Sequence, residues 1–292
     1  MTPHHAGSER IVRAEWELRP RDGGYPVRGD LRAPQGPPPS SAVVVCHGFK
    51  GFRHWGFFPF VARHLARAGH AVLTFDLSGN GVGDDGEPFT ALDRFAAATH
   101  SRNVDEIRMV LDAVTSGPLF PRPPHSIGLL GHSRGGGEAI LAASEHGGID
   151  ALVTWSAISR VERWSAEDVE AWRRGETTTV LNSRTGQQLP ISPAWWRDAT
   201  VNRERLDVLR AAGTVDAPWL IVHGAADETV PVDEARALHR AAGQGAELLL
   251  VDGAGHTFGA THPMQEPTSE LLSVMNATAR WFANHLVPRA PL

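Results

Sequence analysis

The sequence predicts an α/β fold: a mostly parallel central sheet with helices on both faces. Three observations predict it. Short, mostly apolar runs recur along the chain, among them AVVVC (42–46), AVLTF (71–75) and LIV (220–222), the kind of run that belongs to strands buried on both faces. Amphipathic stretches follow these runs, so strands alternate with helices, which implies parallel strands joined by crossovers. Finally, SIGLLGHSRGGGEAILAAS (126–144) sets a serine between two glycines where a strand-like run turns into a helix-like one.

The elements read in order as follows. RIVRAEWELR (10–19) and VRGDLRA (27–33) partly alternate apolar and polar residues around the turn-like RDGGYP, which predicts an antiparallel opening hairpin. APQGPPPSS (33–41) is a proline-rich surface loop, and AVVVCHG (42–48) the first buried strand. FFPFVARHLARAG (57–69) places Phe58, Val61 and Leu65 on one helical face and ends at Gly69, a good C-cap residue. AVLTFD (71–76) is a strand, and NVDEIRMVLDAV (103–114) a helix with Val104, Ile107, Leu111 and Val114 on one side. SIGLLG, then GGGEAILAASEH, repeat the unit, and ALVTWSA (151–157) adds a strand. From about residue 157 to 215 the rhythm breaks. Two short helices are expected there, around SAEDVEAWRR and NRERLDVLRAA, with a hairpin around NSRTG between them. PWLIVHG (218–224), VDEARALHRAA, AELLLVD (246–252) and the final helix SELLSVMNATARWFANHL resume the alternation. The irregular stretch lacks the apolar pattern for a core of its own. The chain therefore reads as one domain, residues 1–292, with an insertion over one end of the sheet.

Bulk composition narrows the function. Of 292 residues, 41% are hydrophobic and 21% charged, the balance of an ordinary globular protein with an adequate core. A net charge of -5 supplies no electrostatic reason for nucleic acid or an acidic membrane as partner. Cys46 is the only cysteine, so neither an intramolecular disulfide nor a thiolate metal cluster can form. MTPHHAGSER has no signal-peptide character and no apolar run approaches membrane-spanning length; a cytoplasmic location is expected. No metal site, cofactor fingerprint or EF-hand spacing is visible.

Gly131 and Gly135 flank Ser133 after IGLL and before GGEAILAAS, which fits a nucleophile elbow, a strained turn that small neighbours make accessible. The competing reading is a glycine-rich turn with an incidental serine. A serine hydroxyl needs a positioned base, itself oriented by a carboxylate. In such sheets reactive groups collect at the carboxyl ends of strands. Beyond PWLIVHG lie Asp227 and Glu228, and beyond AELLLVD lies His256 in GAGHTFG. Asp252 lies too close to its own strand end, and Asp216 precedes a strand.

These residues and their order resemble the α/β-hydrolase family over about residues 40–287. The resemblance implies a triad of Ser133, Asp227 and His256, with Asp227 preferred to Glu228 because HGAADETVP matches the family pattern HGxxDxxVP. An acyl-transfer site also needs oxyanion donors. Arg134 can offer its backbone N–H from the helix start, and the family's HG dipeptide, here in CHGFKGF, implies Phe49 as the second donor. His47 is then expected to be structural, Cys46 to pack, and Lys50 to face solvent. DLSGNGVGDDG is similar to a glycine-rich family loop that shapes the sheet edge. Within the family the chain most resembles bacterial esterases of the cinnamoyl or feruloyl type and dienelactone-hydrolase-like proteins. Ser133 stands where true dienelactone hydrolases carry cysteine and haloalkane dehalogenases carry aspartate.

Trp164, Trp172, Trp195 and Trp196 fall in the insertion and Trp155 ends the strand before it. Trp155, Trp164, Trp195 and Trp196 are the expected substrate-pocket residues, suited to an aromatic or medium-length apolar group. The expected activity is carboxylic-ester hydrolysis through an acyl-enzyme, with a small-molecule ester as partner and no cofactor; a homodimer is left open. The same triad could serve an aminopeptidase, for which Glu162, Glu167 and Asp168 would have to bind an amine, or a thioesterase or lactonase. A non-catalytic ligand-binding protein, or a docking face built from the tryptophans, are the rivals from other classes.

Overall fold

A computed structural model describes residues 10–21, 23–84 and 86–286. Most of the opening MTPHHAGSER, Asp22 of RDGGYP and Asp85 of DLSGNGVGDDG lie outside the described residues. Strands β1 (Ile11–Leu18) and β2 (Val27–Pro34) form the opening hairpin, with Leu18 opposite Val27. They lead into β3 (Ser41–Cys46), α1 (Phe58–Arg67), β4 (Ala71–Asp76), α2 (Leu92–Ala96), α3 (His100–Thr115), β5 (Ser126–His132), α4 (Arg134–His146) and β6 (Ala151–Trp155). Between β6 and the next strand of the sheet come α5 (Ala166–Arg173), the two-stranded hairpin β7 (Thr178–Asn182) and β8 (Gln187–Ile191), α6 (Ala194–Val201) and α7 (Val208–Ala212). The chain closes with β9 (Trp219–Gly224), α8 (Val232–Ala242), β10 (Ala246–Val251) and α9 (Ser269–His285).

The main sheet has eight strands in the order β1-β2-β4-β3-β5-β6-β9-β10. The first two run antiparallel to their neighbours and every other pairing is parallel. This is the predicted α/β architecture, and period-two alternation explains its two cores. In β3, Val44 faces a layer containing Ile107 of α3 and Ile140 of α4, while Val43 and Val45 face a layer containing Leu65 of α1 and Phe282 of α9. Leu129 and Leu130 of β5 split the same way. Because all six side chains of β3 are buried, no polar face exists to tell a helix from a strand, and length and β-branching decide.

Helix boundaries follow local chemistry. Thr99 caps α3, its hydroxyl accepting from the Arg102 N–H at 3.2 Å, and Thr268 caps α9 by accepting from Leu271 at 3.1 Å. The short helix expected around NRERLDVLRAA covers only its last five residues. Asp207 adopts an extended conformation and accepts from the Arg210 N–H at 3.0 Å, so the helix starts after it. Two short helices, α2 and α6, have no counterpart in the sequence reading. Val208, Ala211 and Ala212 of α7 join the core beside α4 and α8. Among the described residues no helix is long and apolar enough to cross a membrane.

Candidate active site

Four strand ends deliver the site. β5 ends at His132 and the chain turns immediately into α4, leaving Ser133 with φ +58° and ψ −124°. A side-chain-bearing residue rarely accepts this strain. The glycines around it are required by space. A Cβ on Gly135 would lie 2.2 Å from the His47 carbonyl oxygen, and one on Gly131 would lie 2.4 Å from the Gly135 carbonyl oxygen. The loop after β3 presses equally hard: a Cβ on Gly48 would come within 2.9 Å of the Ser133 Cβ. That contact sets Phe49 beside the serine.

The loops after β9 and β10 bring in the other two groups. His256 Nε2 is 2.9 Å from Ser133 Oγ, and His256 Nδ1 is 2.8 Å from Asp227 Oδ2. Asp227 Oδ1 accepts from the Thr229 and Val230 N–H groups, both at 2.9 Å. Burial pushes the Asp227 carboxyl up, but the His256 hydrogen bond, the Val230 N–H and the nearby imidazoles together hold it below its ordinary value. The carboxylate is therefore charged where it meets His256 Nδ1. Glu228, its sequence neighbour, is exposed.

Arg134 opens α4, so its N–H belongs to the first turn, where amides lack intrahelical acceptors. Phe49 and Ser133 border the same cavity. His47 is buried: the Leu77 N–H donates to its Nε2 at 3.2 Å, and its Nδ1 donates to the Gly48 carbonyl at 2.9 Å. Both ring nitrogens are thus committed to holding the loop. Cys46 is buried among the core residues, which pushes its thiol well up. Lys50 does not simply face solvent; its Nζ donates to the Leu181 carbonyl at 3.1 Å and ties this loop to β7. The glycine-rich loop after β4 places Val82 and Phe89 in a small cluster with Phe52, Phe95 and Leu189 of β8, and so supports the hairpin from below.

One residue of the site was missed in the sequence. His132, between Gly131 and Ser133, lies with its Nε2 3.1 Å from the His256 carbonyl oxygen and its ring 4.9 Å from that of His256. Burial, reinforced by His256, pushes it down to about 3. A neutral His132 donates to the carbonyl and steadies the histidine loop. The one signal in the sequence was its adjacency to Ser133.

Ser133 sits where two concavities meet. The first, about 300 Å³, is lined by Phe49, Arg134, Trp164, Trp172 and Trp195, with Val180 from the hairpin among its other walls. The second, about 560 Å³, is lined by His256 together with Lys50, Trp55, Asn182, Arg184 and His262. Two of the four expected pocket tryptophans are corrected. Trp155 is fully buried under the sheet: its Nε1 donates to Thr278 Oγ1 at 3.0 Å, and its ring packs on Phe57 and Phe258. It shares the face of β6 with Val153, which points into the α1–α9 layer. Trp196 lies one helical position past Trp195, so it points away from the cavity, and the Arg173 guanidinium lies over its ring at 5.9 Å. Trp164 and Trp195 do line the first cavity, and Trp172, not among the four, lines it as well. Of the three insertion acids, Glu162 and Glu167 are exposed and Asp168 borders the cavity.

Comparison with known proteins agrees with this architecture. The family model for the alpha/beta hydrolase family matches residues 43–272. A monoacylglycerol lipase of Mycolicibacterium smegmatis is 25% identical over 288 residues, spanning 90% of this chain and 95% of the relative. Among solved structures, Est1E from Butyrivibrio proteoclasticus aligns with a TM-score of 0.67 at 21% identity, covering 93% of this chain and 98% of that one. A dienelactone hydrolase from Anabaena variabilis aligns at 0.63 and 20% identity, covering 94% and 99%. With four-fifths of the chain inside the family match, on the fold described, the protein belongs to the alpha/beta hydrolase family.

Proposed function

We propose that this protein is a serine hydrolase that cleaves carboxylic esters through an acyl-enzyme. The observation that carries the reading is the unbroken chain Asp227–His256–Ser133, with contacts of 2.8 and 2.9 Å. His256 Nε2 takes the Ser133 proton as Oγ attacks the ester carbonyl. Asp227 holds the imidazole in the tautomer that leaves Nε2 free to accept, and stabilises the cation that forms. The backbone N–H groups of Phe49 and Arg134 receive the developing oxyanion. The C–O bond then breaks, His256 returns its proton to the departing alkoxide, and a water activated by the same imidazole releases the acid.

Proton return requires the leaving oxygen to lie beside His256, which borders only the second concavity. The alcohol therefore runs toward Lys50 and Arg184, and the acyl group enters the cavity walled by Trp164, Trp172 and Trp195. In this reading α5, the β7–β8 hairpin and α6 act as a cap that encloses the acyl side. Similarity to esterases and a monoacylglycerol lipase favours ester bonds over other acyl compounds.

A fluorophosphonate should label the protein at Ser133, and hydrolysis of p-nitrophenyl butyrate should fall by at least about 10³-fold in Ser133→Ala while circular dichroism is unchanged. Labelling elsewhere, or substantial residual turnover, would remove the serine from the mechanism.

A further inference from the structure

Resting on the serine-esterase reading, we propose that the side chain of Arg134 is a specificity determinant: it binds an oxygen acceptor on the far part of the acyl group. The preferred acids then carry a ketone or carboxylate beyond the scissile carbonyl and are not plain hydrocarbons.

Arg134 is 7% exposed and borders the acyl cavity next to Ser133. A guanidinium carries five N–H donors and is normally met by several acceptors when buried. Here Nε and Nη1 are both buried without a hydrogen-bond partner among the described residues. Among the described residues its ion pair is with Glu138, whose Oε1 lies 3.5 Å from Nε. That oxygen is already occupied, accepting from His100 Nδ1 at 2.9 Å and Asn103 Nδ2 at 2.7 Å. Glu138 thus balances the charge without satisfying the donors. The guanidinium is also fixed in place: its carbon lies 5.0 Å from the centre of the Phe49 ring and 4.9 Å from that of Trp195. Those rings hold a cation by their faces and offer it no hydrogen-bond acceptor. His100, which also borders the cavity, packs edge-on against Trp195 at 5.2 Å.

The arrangement sets a fixed guanidinium at one wall of a cavity whose other walls are mainly aromatic and aliphatic, with Arg163, Asp168 and three threonines also at its border. Glu138 Oε2 is itself buried without a partner among the described residues and makes no hydrogen bond to the guanidinium; an acyl chain with a distal oxygen would supply the acceptor that the surrounding rings do not. A hydrocarbon chain of the same shape would leave buried donors unpaired, and sites built to hydrogen-bond discriminate strongly against such analogues. Placement next to the nucleophile assigns the donors to the acyl side, since His256 borders the other groove.

Three ethyl esters of closely similar shape test this: ethyl levulinate with a 4-oxo group, monoethyl succinate with a carboxylate, and ethyl 4-methylpentanoate with neither. The wild-type protein should show kcat/KM at least about tenfold higher for one or both oxygenated esters than for the hydrocarbon. Preference for levulinate alone marks a neutral acceptor, and preference for the succinate marks an anion; either supports the inference. In Arg134→Met the ratio should collapse toward one, whatever the loss of overall rate. Equal or better hydrolysis of the 4-methylpentanoate by the wild type overturns the proposal, as does a preference that survives Arg134→Met. Should that variant not fold, binding of levulinate, succinate and 4-methylpentanoate to Ser133→Ala by calorimetry decides, with equal affinities counting against. If no ester is cleaved and the fluorophosphonate leaves Ser133 unmodified, the esterase reading fails. The acid-binding comparison still reads the Arg134 site separately.

Discussion

At the scale of single residues, the site depends on holding one imidazole from both sides. Asp227 presents one oxygen to His256 and gives the other to two backbone N–H groups, so its orientation is set independently of the histidine. His132 reaches the His256 backbone from behind. Replacing Asp227 with asparagine preserves the shape but removes the charge, and an amide N–H directed at His256 Nδ1 favours the tautomer that cannot take the serine proton. We expect Asp227→Asn to lower kcat for p-nitrophenyl butyrate by about 10⁴-fold with little change in KM; a loss of less than about tenfold would mean that the carboxylate does not orient the base. Ser133 and His256 stood out as candidates in the sequence because each sits on a loop just beyond an apolar run, near glycines, whereas Asp227 was separated from Glu228 only by its match to the family pattern HGxxDxxVP. His132 was passed over, because its one signal, adjacency to Ser133, carries no spacing signature of its own. Trp155 and Trp196 were misplaced for a related reason: a tryptophan's side of a strand or helix depends on register, which composition does not record.

At the scale of elements, short polar clamps set the loops that carry the chemistry. Glu106 of α3 reaches the loop after β4, accepting from the Ser78 N–H at 2.8 Å and pairing closely with the Ser78 hydroxyl. Burial pushes its carboxyl up to about 7, and the Ser78 bonds pull against burial without prevailing. The folded state thus holds this proton more tightly than the unfolded chain does. The stability that Glu106 contributes is complete below its ordinary value near 4.5 and is lost as pH rises through about 7. Glutamine, which mimics the protonated form, should therefore gain on the wild type by about 3 kcal/mol between pH 4.5 and pH 8. Urea unfolding of Glu106→Gln and wild type at pH 4.5 and pH 8 measures the change; a constant difference would show that the carboxyl does not titrate in this window. The long helices and buried strands could be read from periodicity. The five-residue α2 is too short to show a helical period, and α7 begins late because the Asp207 cap competes with continuation of the helix.

At the scale of the whole molecule, the sheet presents its carboxyl edge to a wall assembled from α5, the β7–β8 hairpin and α6, and two concavities meet at Ser133. Trp172 is one panel of that wall, with its Nε1 donating to the Ile191 carbonyl at 3.2 Å and its ring edge-on to Trp164 at 5.4 Å. Truncating it to alanine should raise KM by about tenfold for an aromatic acyl ester while altering acetate esters by less than about threefold. Comparison of p-nitrophenyl cinnamate with p-nitrophenyl acetate measures this, and equal effects on both would place Trp172 outside the acyl path. The order of strands and helices, the elbow and the chain order of its partners were determined by the sequence alone, because periodicity and glycine placement are local properties of the chain. Which tryptophans line the cavity beside Ser133, the tie from Lys50 to the hairpin, and the unsatisfied Arg134 guanidinium were decided only by the tertiary structure. They depend on register and on contacts between residues as far apart as Lys50 and Leu181, and no local pattern encodes which distant side chain will supply or withhold a hydrogen bond.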